Sequence, residues 1–188
     1  MNKLPFYIFL LYLVFSFSFA YSGSNDPLEK LQQARNLFYK SVENKKHIDE
    51  SIDLFNQLSG VEEFEGRAMT YIGALTALKG KHSFLPQNKL KWTNKGLDIM
   101  EQGIDKNPED IESLFIFSST CYYLPFFFHR DDDAQQNFKN IVRLLPENMY
   151  NYEPEIIKNV IQFLLENAEL NSQEYEIIND LLKSISRV

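Results

Sequence analysis

The sequence predicts an all-α fold, and three observations support this prediction. Apolar residues recur at the three- and four-residue spacing of amphipathic helices, whereas no strict alternation persists long enough to indicate a strand. Helix-capping and helix-ending residues recur along the chain. One spacing pattern also occurs twice, 38 positions apart, and a period of about 20–50 residues is typical of repeat proteins.

The N-terminus has the pattern of a secretory signal. Lys3 is the only charged residue among the first 20, and an apolar run from Leu4 to Phe17 leads to the small-x-small site Ser18-Phe19-Ala20. We expect residues 1–20 to be a cleaved signal peptide and residues 21–26 a short N-terminal segment of an exported, periplasmic or secreted protein. The alternative is an uncleaved membrane anchor, but the run is shorter than the roughly 20 residues that span a bilayer. After cleavage we expect no integral membrane span.

Size and charge limit what the remaining chain can be. Residues 27–188 are long enough for one helical domain, which we predict there. The chain carries 19 basic and 26 acidic residues, a net charge of −7, so nucleic acid and anionic membranes are poor candidate partners. The single cysteine, Cys121, excludes an intramolecular disulfide and is expected to be a packed thiol.

The first four predicted helices follow from their caps. Asp26-Pro27-Leu28-Glu29 combines an N-cap, a first-turn proline and an N3 carboxylate, which start a helix that runs to about Glu43. Gly60 and Gly80 are predicted to end the next two helices. A loop containing Pro86 then separates the third helix from the fourth. These three helices are predicted at 48–59, 62–79 and 88–106.

The other four helices follow similar signals. Asn107-Pro108-Glu109-Asp110 is predicted to start the fifth, Asp132 with Gln135 the sixth, Pro154 the seventh, and Asn171 with Glu174 the eighth. Short turns between helices are typical of antiparallel helix pairs. The predicted spans end at about Leu124, Leu145, Glu169 and Ser186.

The repeated pattern consists of small, large and proline positions. Its two occurrences are Gly96, Met100, Gly103, Pro108 and Ala134, Phe138, Ile141, Pro146. The first three positions lie on one helical face, and the proline follows where the helix is expected to stop. Small residues let two helices approach closely, so we expect Gly73 to face the first occurrence and Ser118-Ser119 the second.

This small–large–small–proline pattern resembles the tetratricopeptide-repeat consensus for the second helix of each repeat. The usual period of about 34 residues is lengthened here to 38. The chain also resembles small exported bacterial tetratricopeptide-like proteins in Ala77–Phe84, Lys95–Leu97, Asn107-Pro108 and Leu124-Pro125. The resemblance implies about eight helices stacked as a short solenoid, and it implies no activity or site. The alternative is a non-repeat helical bundle with coincidental spacing.

Two aromatic turns are the candidate binding elements. One reads Ser83-Phe84-Leu85-Pro86 and the other Tyr123-Leu124-Pro125-Phe126-Phe127-Phe128. Equivalent turns of stacked pairs lie along one edge, so these turns are expected to form a contiguous aromatic ridge. Alternatively, the aromatic side chains fold back and cover the helix ends. The candidate partner-binding residues are Phe84, Leu85, Trp92, Tyr123, Phe126, Phe127 and Phe128.

No motif indicates catalysis. The sequence lacks a nucleophile elbow, a phosphate-binding glycine loop, a metalloprotease helix and paired cysteines, so we expect no enzyme and no cofactor. The run His129–Asp133 is interpreted as a helix start favoured by the helix dipole rather than as a weak calcium or zinc site. The lysines around the loops are either a solvated face or a docking site for an acidic peptide.

The sequence therefore favours a non-catalytic adaptor or scaffold that binds a protein or peptide, because stacked helix pairs present an extended surface. One alternative binds an apolar small ligand or lipid in a pocket between the two halves, near Trp92 and Tyr122. Another is a structural component of the cell envelope. The oligomeric state is left open.

Overall fold

The computed structural model describes residues 26–185, and within this range the chain is all-helical with no strand. The predicted signal peptide and residues 21–25 and 186–188 lie outside the described residues. No helix of the described range is long and apolar enough to cross a membrane. Its eight α-helices are α1 Pro27–Glu43, α2 Ile48–Leu58, α3 Glu65–Lys81, α4 Pro86–Lys106, α5 Ile111–Tyr123, α6 Asp131–Asn148, α7 Pro154–Asn167 and α8 Ser172–Ile185.

The described residues divide into two compact units, with the boundary between Pro108 and Glu109. The first contains α1 to α4 and the second α5 to α8. The prediction of one domain over 27–188 stays a prediction.

The capping prediction is confirmed at the two ends of the described chain. The Leu28 amide donates to Asp26 Oδ1 at 3.0 Å, with Pro27 in the first turn of α1. At the start of α8 the Glu174 amide donates to Asn171 Oδ1 at 3.0 Å, and the Asn171 amide donates to Glu174 Oε2 at 2.8 Å. This second pair forms a complete capping box, because each residue satisfies the other's backbone amide.

The predicted bounds of α3 and the predicted start of α4 are wrong, since α3 begins at Glu65 after a 3₁₀ turn at Glu62–Phe64. Gly80 does not end α3, which continues to Lys81, because Gly80 packs against α4 instead of adopting a left-handed conformation. α4 begins at Pro86 rather than Asn88, since proline is favoured at the first helical position.

Three predicted boundaries of the second unit are also wrong, the start of α5 and both ends of α6. Asp110, not Asn107, caps α5, and its carboxylate accepts from the Ser113 amide at 3.1 Å. α6 begins at Asp131, so Asp132 is not its cap, and it runs through Pro146 to Asn148. Pro146 removes one helical hydrogen bond near the end of the helix without stopping it.

The core of the first unit centres on Tyr71 of α3. Its ring stacks on Phe55 of α2 with centroids 4.5 Å apart, and it meets Phe38 of α1 edge-on at 4.9 Å. All three side chains are buried. α3 therefore packs against both helices that precede it.

α3 and α4 meet along a seam of glycines. A Cβ atom on Gly73 would lie 2.6 Å from the Gly96 carbonyl oxygen, and one on Gly66 would lie 2.7 Å from that of Gly103. A Cβ on Gly80 would lie 2.8 Å from the Lys89 carbonyl oxygen. The two helices run antiparallel with their backbones in contact, so no side chain fits at these positions. The prediction that Gly73 faces Gly96 is confirmed.

The core of the second unit is built from large side chains. The Phe163 ring of α7 lies 5.3 Å from Phe115, 5.8 Å from Tyr122 and 5.4 Å from Phe138, measured between ring centroids. The second occurrence of the repeated pattern contributes Ala134, Phe138 and Ile141 to this unit, each 0% exposed. Ser118 is fully buried, with its hydroxyl donating to the Leu114 carbonyl of its own helix at 2.7 Å.

Candidate partner-binding surfaces

The turn between α3 and α4 exposes two apolar side chains. Phe84 is 95% and Leu85 45% exposed, so neither covers a helix end. The turn itself is well bonded, since the Ser83 amide donates to the Gly80 carbonyl at 3.0 Å and the Ser83 hydroxyl donates to the Lys79 carbonyl at 2.6 Å. An ordered backbone therefore presents the exposed Phe84 ring.

The end of α3 also caps the C-terminus of α1. Lys81 Nζ donates to the Val42 carbonyl at 2.7 Å, and His82 Nε2 lies 3.0 Å from the Ser41 carbonyl oxygen. Burial lowers the pKa of Lys81, although Glu43 at 3.8 Å partly opposes this shift. Lys81 and His82 thus supply hydrogen-bond partners for carbonyl groups at the C-terminal, negative end of α1. This contact fixes the base of the turn.

Trp92, on the second turn of α4, is half-buried among lysines. The ammonium groups of Lys79, Lys91 and Lys95 lie 5.8, 5.8 and 5.7 Å from its ring centroid. These distances are in the range of cation–π contacts. Lys91 and Lys95 are visible near Trp92 in the sequence, whereas Lys79 reaches it only through the pairing of α3 with α4.

The turn between α5 and α6 presents three consecutive phenylalanines on a short 3₁₀ helix, Phe126–Phe128. Phe126 is 81% and Phe127 52% exposed, and Phe128 is half-buried. The ring centroids of Phe126 and Phe127 are 5.9 Å apart, and those of Phe127 and Phe128 are 4.9 Å apart. The turn therefore forms a local aromatic cluster with an open outer side.

His129 ends this turn in the left-handed region, with a φ of 52°. Its amide donates to the Phe126 carbonyl at 3.0 Å, and the Phe128 amide donates to the Pro125 carbonyl at 2.9 Å. Left-handed backbone is uncommon for a residue other than glycine and is frequent at ligand-binding segments. Arg130 then pairs with Asp133 at 2.7 Å in the first turn of α6. The backbone bonds and the Arg130–Asp133 pair therefore order the segment that carries the three rings.

Tyr123 differs from the other candidate residues because it belongs partly to the core. It is half-buried, and its ring centroid lies 5.1 Å from Tyr122 and 6.1 Å from Phe163. Burial raises the pKa of the Tyr123 hydroxyl well above its usual range, and Tyr122 and Glu166 add to this shift. Its main observed contacts are with the aromatic core.

A polar cluster at the start of α5 was missed by sequence reasoning. The Tyr152 hydroxyl donates to Asp110 Oδ1 at 2.9 Å and accepts from the Ile111 amide at 2.9 Å. The Ser113 hydroxyl donates to Asp110 Oδ2 at 2.5 Å. Asp110 is only 2% exposed. The cluster fixes the start of a helix, and a contact across about 40 residues leaves no local sequence signal.

The acidic run at the start of α6 does not assemble a metal site. Among residues 26–185, no group of three histidine, cysteine or carboxylate side chains could hold an ion. Asp131 to Asp133 lie in the first turn of α6, where the helix dipole favours them. Gln135 bonds elsewhere, accepting from the Glu169 amide at 2.8 Å just beyond the C-terminus of α7.

The seven candidate residues thus fall into two groups on two compact units. Phe84, Leu85 and Trp92 belong to the first unit and the other four to the second. The predicted alignment of both turns into one ridge, and the pocket near Trp92 and Tyr122, stay predictions.

Comparison with known proteins gives no relative. No family model, no curated protein and no solved structure matches the chain.

Proposed function

We propose that the protein is an exported, non-catalytic helical-repeat protein that binds a protein or peptide partner. The observation that carries this proposal is the turn Phe126–Phe128, where an ordered backbone presents the exposed rings of Phe126 and Phe127 to solvent. We name this element the phenylalanine turn.

The physical argument concerns the cost of binding. Aromatic side chains contribute disproportionately to protein interfaces, where they fill pockets near the centre. A turn whose backbone is already ordered loses less conformational entropy when it binds. The phenylalanine turn is positioned by its own backbone bonds and by His129, so it suits the role of an anchor.

The tetratricopeptide-like arrangement belongs to the same proposal. It is supported by the burial of the three helical-face positions in each occurrence of the repeated pattern, Gly96, Met100 and Gly103 in α4 and their counterparts in α6. Helix-pair repeats commonly serve as binding scaffolds without any catalytic residue.

Site-specific photo-crosslinking tests the proposed partner-binding turn. Benzoylphenylalanine is placed at Phe126 in one variant and at Tyr150 in another. Tyr150 is a matched control because it is 80% exposed and lies on a 3₁₀ turn of the same unit. Each variant is expressed in the source cells and irradiated, and adducts are identified by mass spectrometry.

We expect one discrete protein adduct from position 126 and none from position 150. Phe127→Ser should remove the adduct while leaving the circular dichroism spectrum and melting temperature unchanged, since its side chain is half-exposed. The absence of a protein adduct at 126, or the same adducts at both positions, would contradict the proposal.

A further inference from the structure

The first unit carries a segregated positive charge that the net charge of the chain conceals. Residues 66–97 contain six basic residues and no acidic residue. The rest of the chain contains 13 basic and 26 acidic residues. The acidic balance that argues against anionic surfaces is therefore absent from residues 66–97, which include the tip of the α3–α4 hairpin.

Carboxylates of neighbouring helices neutralise only part of this charge. Lys79 pairs with Asp49 of α2 at 2.8 Å, and Lys81 lies 3.8 Å from Glu43 of α1. Lys89, Lys91 and Lys95 are exposed and form no ion pair with any residue of the described chain. Three uncompensated ammonium groups thus lie within two turns of α4.

Apolar side chains surround the same end of the hairpin. Phe84 at 95%, Leu85 at 45% and Leu90 at 44% exposure are all open to solvent. Trp92 follows Pro86, the first residue of α4, by six residues. At 1.5 Å per residue it lies about 9 Å along the helix from that end. The order along the hairpin is therefore an apolar tip, then lysines, then a tryptophan among lysines.

We propose that this hairpin tip, defined as Phe84, Leu85, Leu90, Trp92 and the lysines 89, 91 and 95, docks on the surface of an anionic lipid bilayer. Phe84 and Leu85 enter the interface, the lysines contact anionic headgroups, and Trp92 lies at headgroup depth.

Three properties of the tip favour a bilayer over an acidic peptide. The apolar side chains project outward, whereas peptide-binding sites are usually grooves with pockets. The depth of about 9 Å between the tip and Trp92 matches the roughly 5–10 Å to which interfacial elements enter a membrane. Tryptophan and lysine are also the residues that anchor proteins at this level.

The inference is independent of the phenylalanine turn and of its protein partner. Phe84, Leu85 and Trp92 are predicted from the sequence to bind a protein partner, but their charged surroundings favour lipid. If the membrane test fails, the crosslinking result at position 126 is unaffected. If crosslinking at position 126 fails, the membrane test at Trp92 is unaffected.

Trp92 is the only tryptophan of the chain, so its fluorescence reports on the hairpin tip and not on the N-terminal residues. The full-length protein is titrated with vesicles of phosphatidylcholine containing 30% phosphatidylglycerol and, separately, with pure phosphatidylcholine. We expect a blue shift and protection from acrylamide quenching with the anionic vesicles only. Since the attraction is electrostatic, about 0.5 M salt should reverse both effects.

Variants locate the interaction. Lys89→Gln, Lys91→Gln and Lys95→Gln combined should weaken the Trp92 response to anionic vesicles by about 100-fold. Phe84→Ser should weaken it by about 10-fold or more. Phe126→Ser is the matched control because it removes another strongly exposed phenylalanine, 81% against 95% for Phe84, from the other unit, and it should leave the response unchanged. Circular dichroism verifies that each variant is folded.

An unchanged Trp92 spectrum in anionic vesicles overturns the inference. So does an equal response to pure phosphatidylcholine, or a response that survives both the lysine and the Phe84 changes. A soluble peptide Glu-Glu-Phe-Glu-Glu provides the remaining comparison. If Trp92 responds to this peptide and not to vesicles, the tip is a protein-binding site.

Discussion

The helix pairs α3–α4 and α5–α6 carry the same repeated spacing but pack differently, the first through glycines and the second through large aromatic side chains. Five of the seven glycines in the chain lie on the α3–α4 seam, where backbone meets backbone. No glycine follows Gly103, and α5, α6 and α7 instead fill their core with phenylalanine and tyrosine rings. The repeated pattern therefore specifies which face is buried, and the residues on the partner helix decide how close the backbones come.

The largest expected effect is in the second unit. Phe138 is 0% exposed and contacts Tyr122 and Phe163. Phe138→Ala should lower the free energy of unfolding by about 3–5 kcal/mol, because it leaves a cavity among rigid rings. Urea denaturation measures this loss. A cost below about 1 kcal/mol would mean that the ring cluster does not hold the second unit together.

The first unit should fail under the opposite change. Gly96→Leu should cost about 3 kcal/mol, since the added side chain must separate two touching backbones. A Cβ at this position would lie 2.6 Å from the Gly73 carbonyl oxygen and from the Ala77 amide nitrogen.

Gly60→Ala is the matched control for the seam, because the nearest atom to its added Cβ would be 3.9 Å away. Its effect on the free energy of unfolding should stay within about 0.5 kcal/mol. Equal stability of Gly96→Leu and Gly60→Ala in a urea titration would refute the seam.

The two units also differ in the polar contacts at their helix ends, where we expect smaller effects on stability. The first unit caps a helix end with Lys81 and His82, and the second fixes a helix start with Tyr152. Tyr152→Phe leaves the Ile111 amide without its acceptor and Asp110 with one donor fewer, so it should cost about 1–3 kcal/mol. The exposed Tyr150→Phe is the control and should be neutral in the same thermal melts. Similar losses from both variants would exclude a specific role for the cluster.

Alkaline pH gives the smallest effect, and its sign is fixed by Tyr123. The pKa of Tyr123 is raised in the folded state, so its hydroxyl ionises in the unfolded chain first. The contribution of protonated Tyr123 to the free energy of unfolding is complete below pH 10, the usual pKa of tyrosine. It is lost as the pH rises above that value. The free energy of unfolding should fall less steeply above pH 10 in Tyr123→Phe than in the wild type. A steeper fall in the variant would contradict the assignment.

Local signals in the sequence predicted the fold class and most helices. The Asn171 capping box, the buried Cys121 and the contact between Gly73 and Gly96 were all predictable from spacing and residue type. Gly80 was misinterpreted because a glycine near a predicted helix end also fits a C-cap. Its seven-residue distance from Gly73, and that of Gly73 from Gly66, was the signal that could have revealed the seam.

The candidate sites were less predictable. The sequence places aromatic residues in both turns but does not decide their exposure. An aromatic turn can either project into solvent or fold back over the helix ends. The Tyr152 cluster and the contact of Lys79 with Trp92 depend on pairings between distant segments. The net charge also concealed the basic hairpin, since a sum over the chain carries no information about position.

The glycine seam has a consequence for register. Glycines recur every seven residues on the facing sides of α3 and α4. If α4 slid along α3 by one residue, a side chain with a Cβ would replace a glycine and meet a carbonyl oxygen. A one-residue insertion or deletion between the seam glycines of α3 or α4 should therefore lower the free energy of unfolding, because it replaces a glycine at a backbone contact by a residue with a Cβ. The turn 82–85 lies outside the seam, so a change of its length alters the reach of the tip and leaves the facing glycines in register.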